Sequence, residues 1–215
     1  MSDSTELPIL SPAEARVLGC LIEKRELTPD VYPLTVNALV AAANQKTARE
    51  PVMALEIADV NRALGTLQHK GLVRQQFASR VERYEHLMAQ KFSLTQAQIA
   101  LLGLLMLRGP QTAYELLARA ERMGKFSTVE DVKGNLDMLI GRKPALAAEI
   151  GRGPGQREDR FAHLLSGEVQ IASPSAAPVQ YAASSGTGLV DRVIALEEDV
   201  AELRRQVAAL MEGRT

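Results

Sequence analysis

Arg62, Thr66 and His69 recur at helical spacing, which puts a guanidinium, a hydroxyl and an imidazole on one face of a helix. That set of groups suits a nucleic-acid surface. Arginine can give two hydrogen bonds to a guanine edge, and threonine can reach a base or a phosphate. Lys70, Arg74, Arg80 and Arg83 follow within the next turn and hairpin, and Lys46 and Arg49 precede the helix. These are candidate phosphate contacts, which position a duplex rather than read it. The nine residues form the candidate nucleic-acid site.

Other chemistry finds less support. His69, His86 and His163, with the single Cys20, have no metal-ligand spacing. No serine sits in a nucleophile elbow, and no Cys–His pair is suggested. Gly151-Arg152-Gly153-Pro154-Gly155 lacks the Lys-Ser/Thr pair of a phosphate loop and opens no helix; it reads as a hairpin tip. Glu197-Glu198-Asp199 reads as a solvated helix face. The expectation is a protein that is no enzyme, with no catalytic residue, metal or cofactor.

The element that must hold Arg62, Thr66 and His69 is an amphipathic helix over 56–70. Ile57, Val60, Leu64 and Leu67 form its apolar stripe, and Gly71 ends it. A hairpin follows, with strands over 72–77 and 83–87 around a polar tip at 78–82.

Composition limits the rest. The 215 residues are 46% hydrophobic and only 4% aromatic, without tryptophan, so the core must be aliphatic. Net charge is -1 overall, but +1 over residues 11–90, +3 over 91–165 and -3 over 166–215. The whole chain is therefore no polyanion binder by charge alone. Cys20 lies in an apolar helical run and reads as a buried thiol. The acidic start resembles no targeting segment, and the apolar run at 99–107 is far short of the ~20 residues of a membrane span. A cytoplasmic protein that does not engage a membrane is the expectation.

Residues 1–10 read as a disordered leader. Ser11-Pro12-Ala13-Glu14 is a capping box opening a helix to about Arg25, and a second helix spans about 35–44. The pattern then restarts. Thr95-Gln96-Ala97-Gln98 repeats the box, and a shift of 84 lays Ala13 on Ala97, Leu18 on Leu102 and Gly19 on Gly103. Thr112-Ala113-Tyr114-Glu115 and Ser127-Thr128-Val129-Glu130 cap two further helices. A shift of 72 lays Ile57 on Val129, Val60 on Val132, Leu64 on Leu136 and Leu67 on Leu139. A second hairpin uses 146–150 and 160–165. We read an internal duplication: one domain over 11–90 and another over 91–165, packed on each other, in a mainly α chain with small β-hairpins. On the same shift Arg62 and His69 fall on Gly134 and Gly141, and Glu130, Asp131 and Asp137 leave the second helix acidic. That helix suits a place against the other domain, or against another protein, better than DNA.

Residues 166–188, rich in Ala, Ser, Pro and Gly, read as a flexible linker. A heptad over 189–212 places Leu189, Leu196, Leu203 and Leu210 on one seam position and Val193, Val200 and Val207 on the other. Valine at a with leucine at d favours a parallel two-stranded coil, and hence a homodimer. The alternative is a helix folded back on its own domains.

Three long runs, 10–24, 28–39 and 44–53, carry a resemblance. They include Leu10-Ser11-Pro12-Ala13-Glu14-Ala15-Arg16, Thr28-Pro29-Asp30-Val31-Tyr32-Pro33 and Asn44-Gln45-Lys46-Thr47-Ala48-Arg49-Glu50-Pro51. Over residues 10–165 the chain resembles the YceH-type bacterial proteins. The resemblance implies two winged-helix domains in tandem; it implies no activity and supplies no catalytic residue. Two functions stand as expectations: a DNA-binding regulator working through the first domain, or a protein-interaction scaffold with no nucleic-acid contact.

Overall fold

The computed structural model describes residues 7–76, 81–152 and 158–167. The described residues form a mixed α and β fold, with seven α-helices and two small antiparallel sheets. The first set of elements is α1 (Pro12–Leu27), α2 (Val36–Ala43), α3 (Ile57–His69), β1 (Val73–Gln76) and β2 (Arg83–His86). A short helix, α4 (Met88–Phe92), leads to the second set. That set is α5 (Gln96–Arg108), β3 (Gln111–Thr112), α6 (Ala113–Ala120), α7 (Val129–Ile140), β4 (Ala147–Ile150) and β5 (Arg160–His163).

Caps fix most helix starts. The Ser11 hydroxyl accepts from the Glu14 amide while the Glu14 carboxylate accepts from Ser11 N–H. Thr95 with Gln98, Thr112 with Glu115 and Thr128 with Asp131 repeat the arrangement. Each closes two of the amide donors that a helix start leaves open. At α3 the Asp59 carboxylate accepts from the Glu56 amide at 3.0 Å, so an acidic residue inside the first turn replaces the missing Ser or Thr. At the far end Gly71, φ +69°, takes the left-handed conformation that stops the helix.

The returning strands repeat more closely than the helices do. Arg83-Tyr84-Glu85-His86 and Arg160-Phe161-Ala162-His163 hold equivalent places. His86 pairs with Val73 and His163 with Ala147. On its other side β5 takes β3, through Gln111 and Phe161. In the first set one bridge between Leu34 and Tyr84 fills the same place. The arginine that opens each returning strand donates to a proline carbonyl fifty residues earlier: Arg83 to Pro33 at 2.7 Å, and Arg160 to Pro110.

The described residues share one continuous aliphatic core. Every residue of α1 from Glu14 to Glu23 is buried, as is every residue of α5 from Gln98 to Leu107. A helix covered all round must have neighbours on every side. α1 has α2 and α3 on one side and α5 on the other. Two glycines allow the close approach. A Cβ on Gly103 would lie 2.6 Å from Ile22 Cγ2, and one on Gly19 would lie 2.9 Å from Leu107 Cγ and 3.2 Å from Met106 Cβ. On the shift of 84, Ile22 corresponds to Met106. The Gly19–Met106 and Ile22–Gly103 contacts therefore exchange with one another, as across a self-complementary interface.

Several expectations need correction. Ile57, assigned to the apolar stripe of α3, is 53% exposed; it is the first residue of the helix and projects before the core begins. Residues 7–10, placed in a disordered leader, are built into the fold. Leu10 is buried, and its amide donates to the Leu165 carbonyl at 2.6 Å. α1 reaches Leu27 rather than Arg25. The flexible linker beyond Gly167 and the heptad of Leu189, Val193, Leu196, Val200, Leu203, Val207 and Leu210 lie outside the described residues. Among the described residues no helix is long and apolar enough to cross a membrane.

Candidate nucleic-acid interface

The loop 44–56 sets where α3 begins. Asn44 closes it in both directions: its side-chain amide donates to the Leu55 carbonyl at 2.8 Å, and its carbonyl oxygen accepts from the Leu55 amide at 2.7 Å. Arg49 enters the interior from this loop. Its guanidinium makes a two-pronged bond to Glu23, at 3.0 and 2.6 Å, and donates to the Ala42 and Ala48 carbonyls and to Gln45. Arg16 comes from α1, buried to 1% exposure, and donates to the Ala43 and Pro51 carbonyls. Two guanidinium groups thus satisfy carbonyls at the C-terminal end of α2, where a helix leaves acceptors open. Burial works against the ionised Glu23 carboxyl, but the hydrogen bonds and charges of Arg49 and Lys24 together outweigh it and hold that carboxyl below its usual range. Cys20, inside the same helix, is fully buried, and desolvation pushes its thiol up to about 11. It is a packing residue with no thiolate to offer.

This arrangement corrects three candidate contacts. Arg49 is not at the surface; its charge belongs to Glu23. Lys70, at the end of α3, turns inward to Glu14 and to the Ile9 carbonyl. Arg83 donates to the carbonyls of Val31 and Pro33 and braces the turn before α2. In each case the long side chain finds a buried or half-buried acceptor, which a sequence pattern cannot foresee.

The remaining candidates stay near solvent. The Arg62 side chain is 77% exposed and meets Asp59 at 3.4 Å. His69 is exposed, about two turns further along. Thr66 lies between them, half-buried, its hydroxyl donating to the Arg62 carbonyl at 3.1 Å. Lys46 is exposed on the loop before α3. Arg74 on β1 is exposed and bonds Glu85 on the paired strand at 2.7 Å. Burial raises the Glu85 carboxyl, and the hydrogen bonds from Gln76 and Arg74 more than reverse this. Arg80 lies outside the described residues. The structure therefore keeps Arg62, Thr66 and His69 in line on α3, with Lys46 before them and Arg74 after.

The histidines of the returning strands have a different role from His69. His86 is 2% exposed, neither ring nitrogen has a partner, and its ring stands 6.2 Å from that of Tyr32. Desolvation, then repulsion by Arg25, lowers it to about 4 despite Glu85. His163, at the matching place, is lowered to about 4 by desolvation. Both are neutral; His86 lies in the interior and His163 is half-buried. Their repetition was visible in Arg83-Tyr84-Glu85-His86 and Arg160-Phe161-Ala162-His163, a signal stronger than the apolar stripe of the two helices.

The family model described as "Protein of unknown function, DUF480" matches residues 10–156. The UPF0502 protein mll4256 of Mesorhizobium japonicum is 67% identical over 210 residues, covering 96% of this chain and 99% of that protein. A UPF0502 protein of Xanthomonas campestris pv. campestris is 52% identical, covering 98% and 96%. UPF0502 protein Smlt0097 of Stenotrophomonas maltophilia is 48% identical, covering 98% and 99%. The match begins at Leu10, the residue that ties the start of the fold to Leu165, and it takes in the first set of elements and the second as far as β4: the chain belongs to the DUF480 family of bacterial proteins, which bear the name UPF0502.

Proposed function

We propose that this chain is a non-enzymatic tandem winged-helix protein. It binds duplex DNA through α3 and the first hairpin, as a regulator, and pairs with a second copy through residues 189–212. The winged-helix reading is supported by the order helix, short strand or bridge, helix, helix, hairpin, found once in 11–90 and again in 91–165. A domain of this kind lays its third helix in the major groove, with the hairpin on the flanking backbone. Fold analogy alone does not assign function.

The observation that carries the reading is the exposed line of Arg62, Thr66 and His69 on α3. The Arg62–Asp59 pair is an exposed contact, worth at most ~1 kcal/mol. A guanine edge, offering two acceptors at once, outcompetes it. Lys46 and Arg74 flank the line and supply phosphate contacts.

Binding to mixed-sequence duplex DNA, followed by anisotropy across a salt series, tests the proposal. Affinity is expected to fall with a log–log slope of about -0.9 for each phosphate neutralised. Arg62→Ala is expected to relax base preference at one position, costing ~1–3 kcal/mol there. No binding at ~50 mM salt, where such contacts are strongest, removes the DNA reading and leaves the tandem domains as a protein scaffold.

A further inference from the structure

A groove of about 420 Å³ opens between α6, α7 and the β4–β5 hairpin. Phe161 of β5 forms buried apolar lining, and Tyr114 of α6, 58% exposed, stands at its edge. An uncovered aromatic side chain beside a concave surface marks a place where a partner removes apolar area from water.

The charge of the groove says which partner. Asp137 comes from α7, Glu149 from β4, and Glu158 and Asp159 from the chain entering β5; among the described residues Lys133 is the only cation lining it. Asp159 is paired with Arg152 at 3.1 Å. Among the described residues Asp137, Glu149 and Glu158 have no ion pair. Carboxylates converge from a helix and from both strands of the hairpin, around an aromatic lining. A phosphate backbone is repelled here. α7 stands in its set where α3 stands in the first, yet has Gly134 and Gly141 in place of Arg62 and His69.

We propose that this groove docks a lysine- or arginine-bearing segment of a partner protein, its cationic head among Asp137, Glu149 and Glu158 and its aliphatic stem on Tyr114 and Phe161. A guanidinium over the Tyr114 ring adds a cation–π contact. The aromatic lining favours a peptide over a bare polycation, since only the peptide brings side chains to cover Tyr114. The proposal does not rest on DNA binding by α3, because it uses other elements and the opposite charge.

A short fluorescent peptide carrying several arginines and leucines tests it on the full chain, with a glutamate version and spermine as comparisons. Saturable binding of the arginine peptide alone is expected. Asp137→Lys with Glu149→Lys is expected to weaken it by about tenfold or more, the scale of one lost charge-assisted contact. Asp30→Lys with Glu121→Lys, equal in net charge change and away from the groove, is expected to leave it unchanged. All four positions are exposed, and thermal unfolding checks that both variants fold. No binding overturns the proposal, and so does an equal loss in the two variants, which makes the effect bulk charge. Displacement by spermine at the peptide's own affinity overturns the protein partner in favour of a polyamine. Self-assembly of the chain that only the groove variant abolishes makes a second copy the occupant, and overturns it too.

Discussion

Arg49 and Arg62 look alike in a list of basic residues and differ in every physical respect. Arg49 is enclosed with Glu23, while Arg62 stands in water beside Asp59. Breaking the first leaves the buried Glu23 carboxylate with Lys24 alone, at 3.4 Å, a loss approaching the range of about 3–5 kcal/mol for such pairs; breaking the second removes an exposed contact worth little. The same division separates His69, on the surface, from His86, inside, and His163, half-buried. These two histidines give a pH dependence with a definite sign. Their folded pKa values, about 4, lie below the ordinary 6.5, so the unfolded chain takes up protons first as pH falls. Stability is expected to be unaffected above about 6.5 and to drop between about 6.5 and 4, by up to ~3 kcal/mol for each histidine. Urea unfolding at pH 7 and pH 5 measures this, with His86→Leu flattening part of the slope. A midpoint that does not move between those values contradicts the neutral, buried assignment. Carboxylates held low, Glu23 and Glu85, act in a more acidic window and do not confuse the measurement. The pairing of Arg49 with Glu23 was not legible beforehand, because the partners lie 26 residues apart and meet only once α1, α2 and the loop 44–56 are assembled.

Helices whose starts follow local rules were readable from the chain. Ser11, Thr95 and Thr112 cap where their spacing to Glu14, Gln98 and Glu115 says they should, whereas the box read over Ser127 to Glu130 lies one residue early, because Thr128 caps α7 with Asp131. The start of α3 was less readable, since Glu56 is an uncommon cap and Asp59 supplies the acceptor. Hairpin strands were placed to within a residue or two, but the short β3 and α4 depend on neighbours: β3 exists because β5 offers it an edge. Packing between helices also decides the sign of a single methyl. A glycine inside a helix ordinarily costs about 1 kcal/mol against alanine. At Gly134 nothing lies within 4 Å of an added Cβ, so Gly134→Ala is expected to stabilise by up to ~1 kcal/mol. At Gly103 the same methyl lands 2.6 Å from Ile22, so Gly103→Ala is expected to destabilise by ~1–3 kcal/mol through overpacking, less the propensity gained. Paired denaturant titrations measure both. The same sign in both variants shows that the α1–α5 approach is not tight.

Across the whole molecule, duplication was the feature most open to sequence reasoning, through repeated caps and the order of elements. That the two sets share one core was an expectation of packing, and its means, Gly19 and Gly103 reciprocally placed, were visible as a matched pair without their purpose being visible. The heptad of Leu189 to Leu210 makes a prediction at this scale. If it pairs two copies, removing residues 189–215 is expected to convert a dimer into a monomer in sedimentation velocity, with the unfolding of the remaining chain unchanged. A dimer that survives the truncation places the main contact elsewhere. The burial of α1 on both sides has one more consequence. A chain is made from its N-terminus, so α1 is among the first helices to leave the ribosome. Its inner partners α2 and α3 follow within 42 residues of Leu27, but Gln96, the first residue of α5, comes 69 residues after it. Until then the side of α1 that carries Gly19 and Ile22 is bare. The first set of elements can assemble its hairpin and its loop during synthesis, yet the helix at its centre is the last part to be dry. A nascent chain halted near residue 90 would present that surface to whatever attends the ribosome exit, and release from it waits on α5.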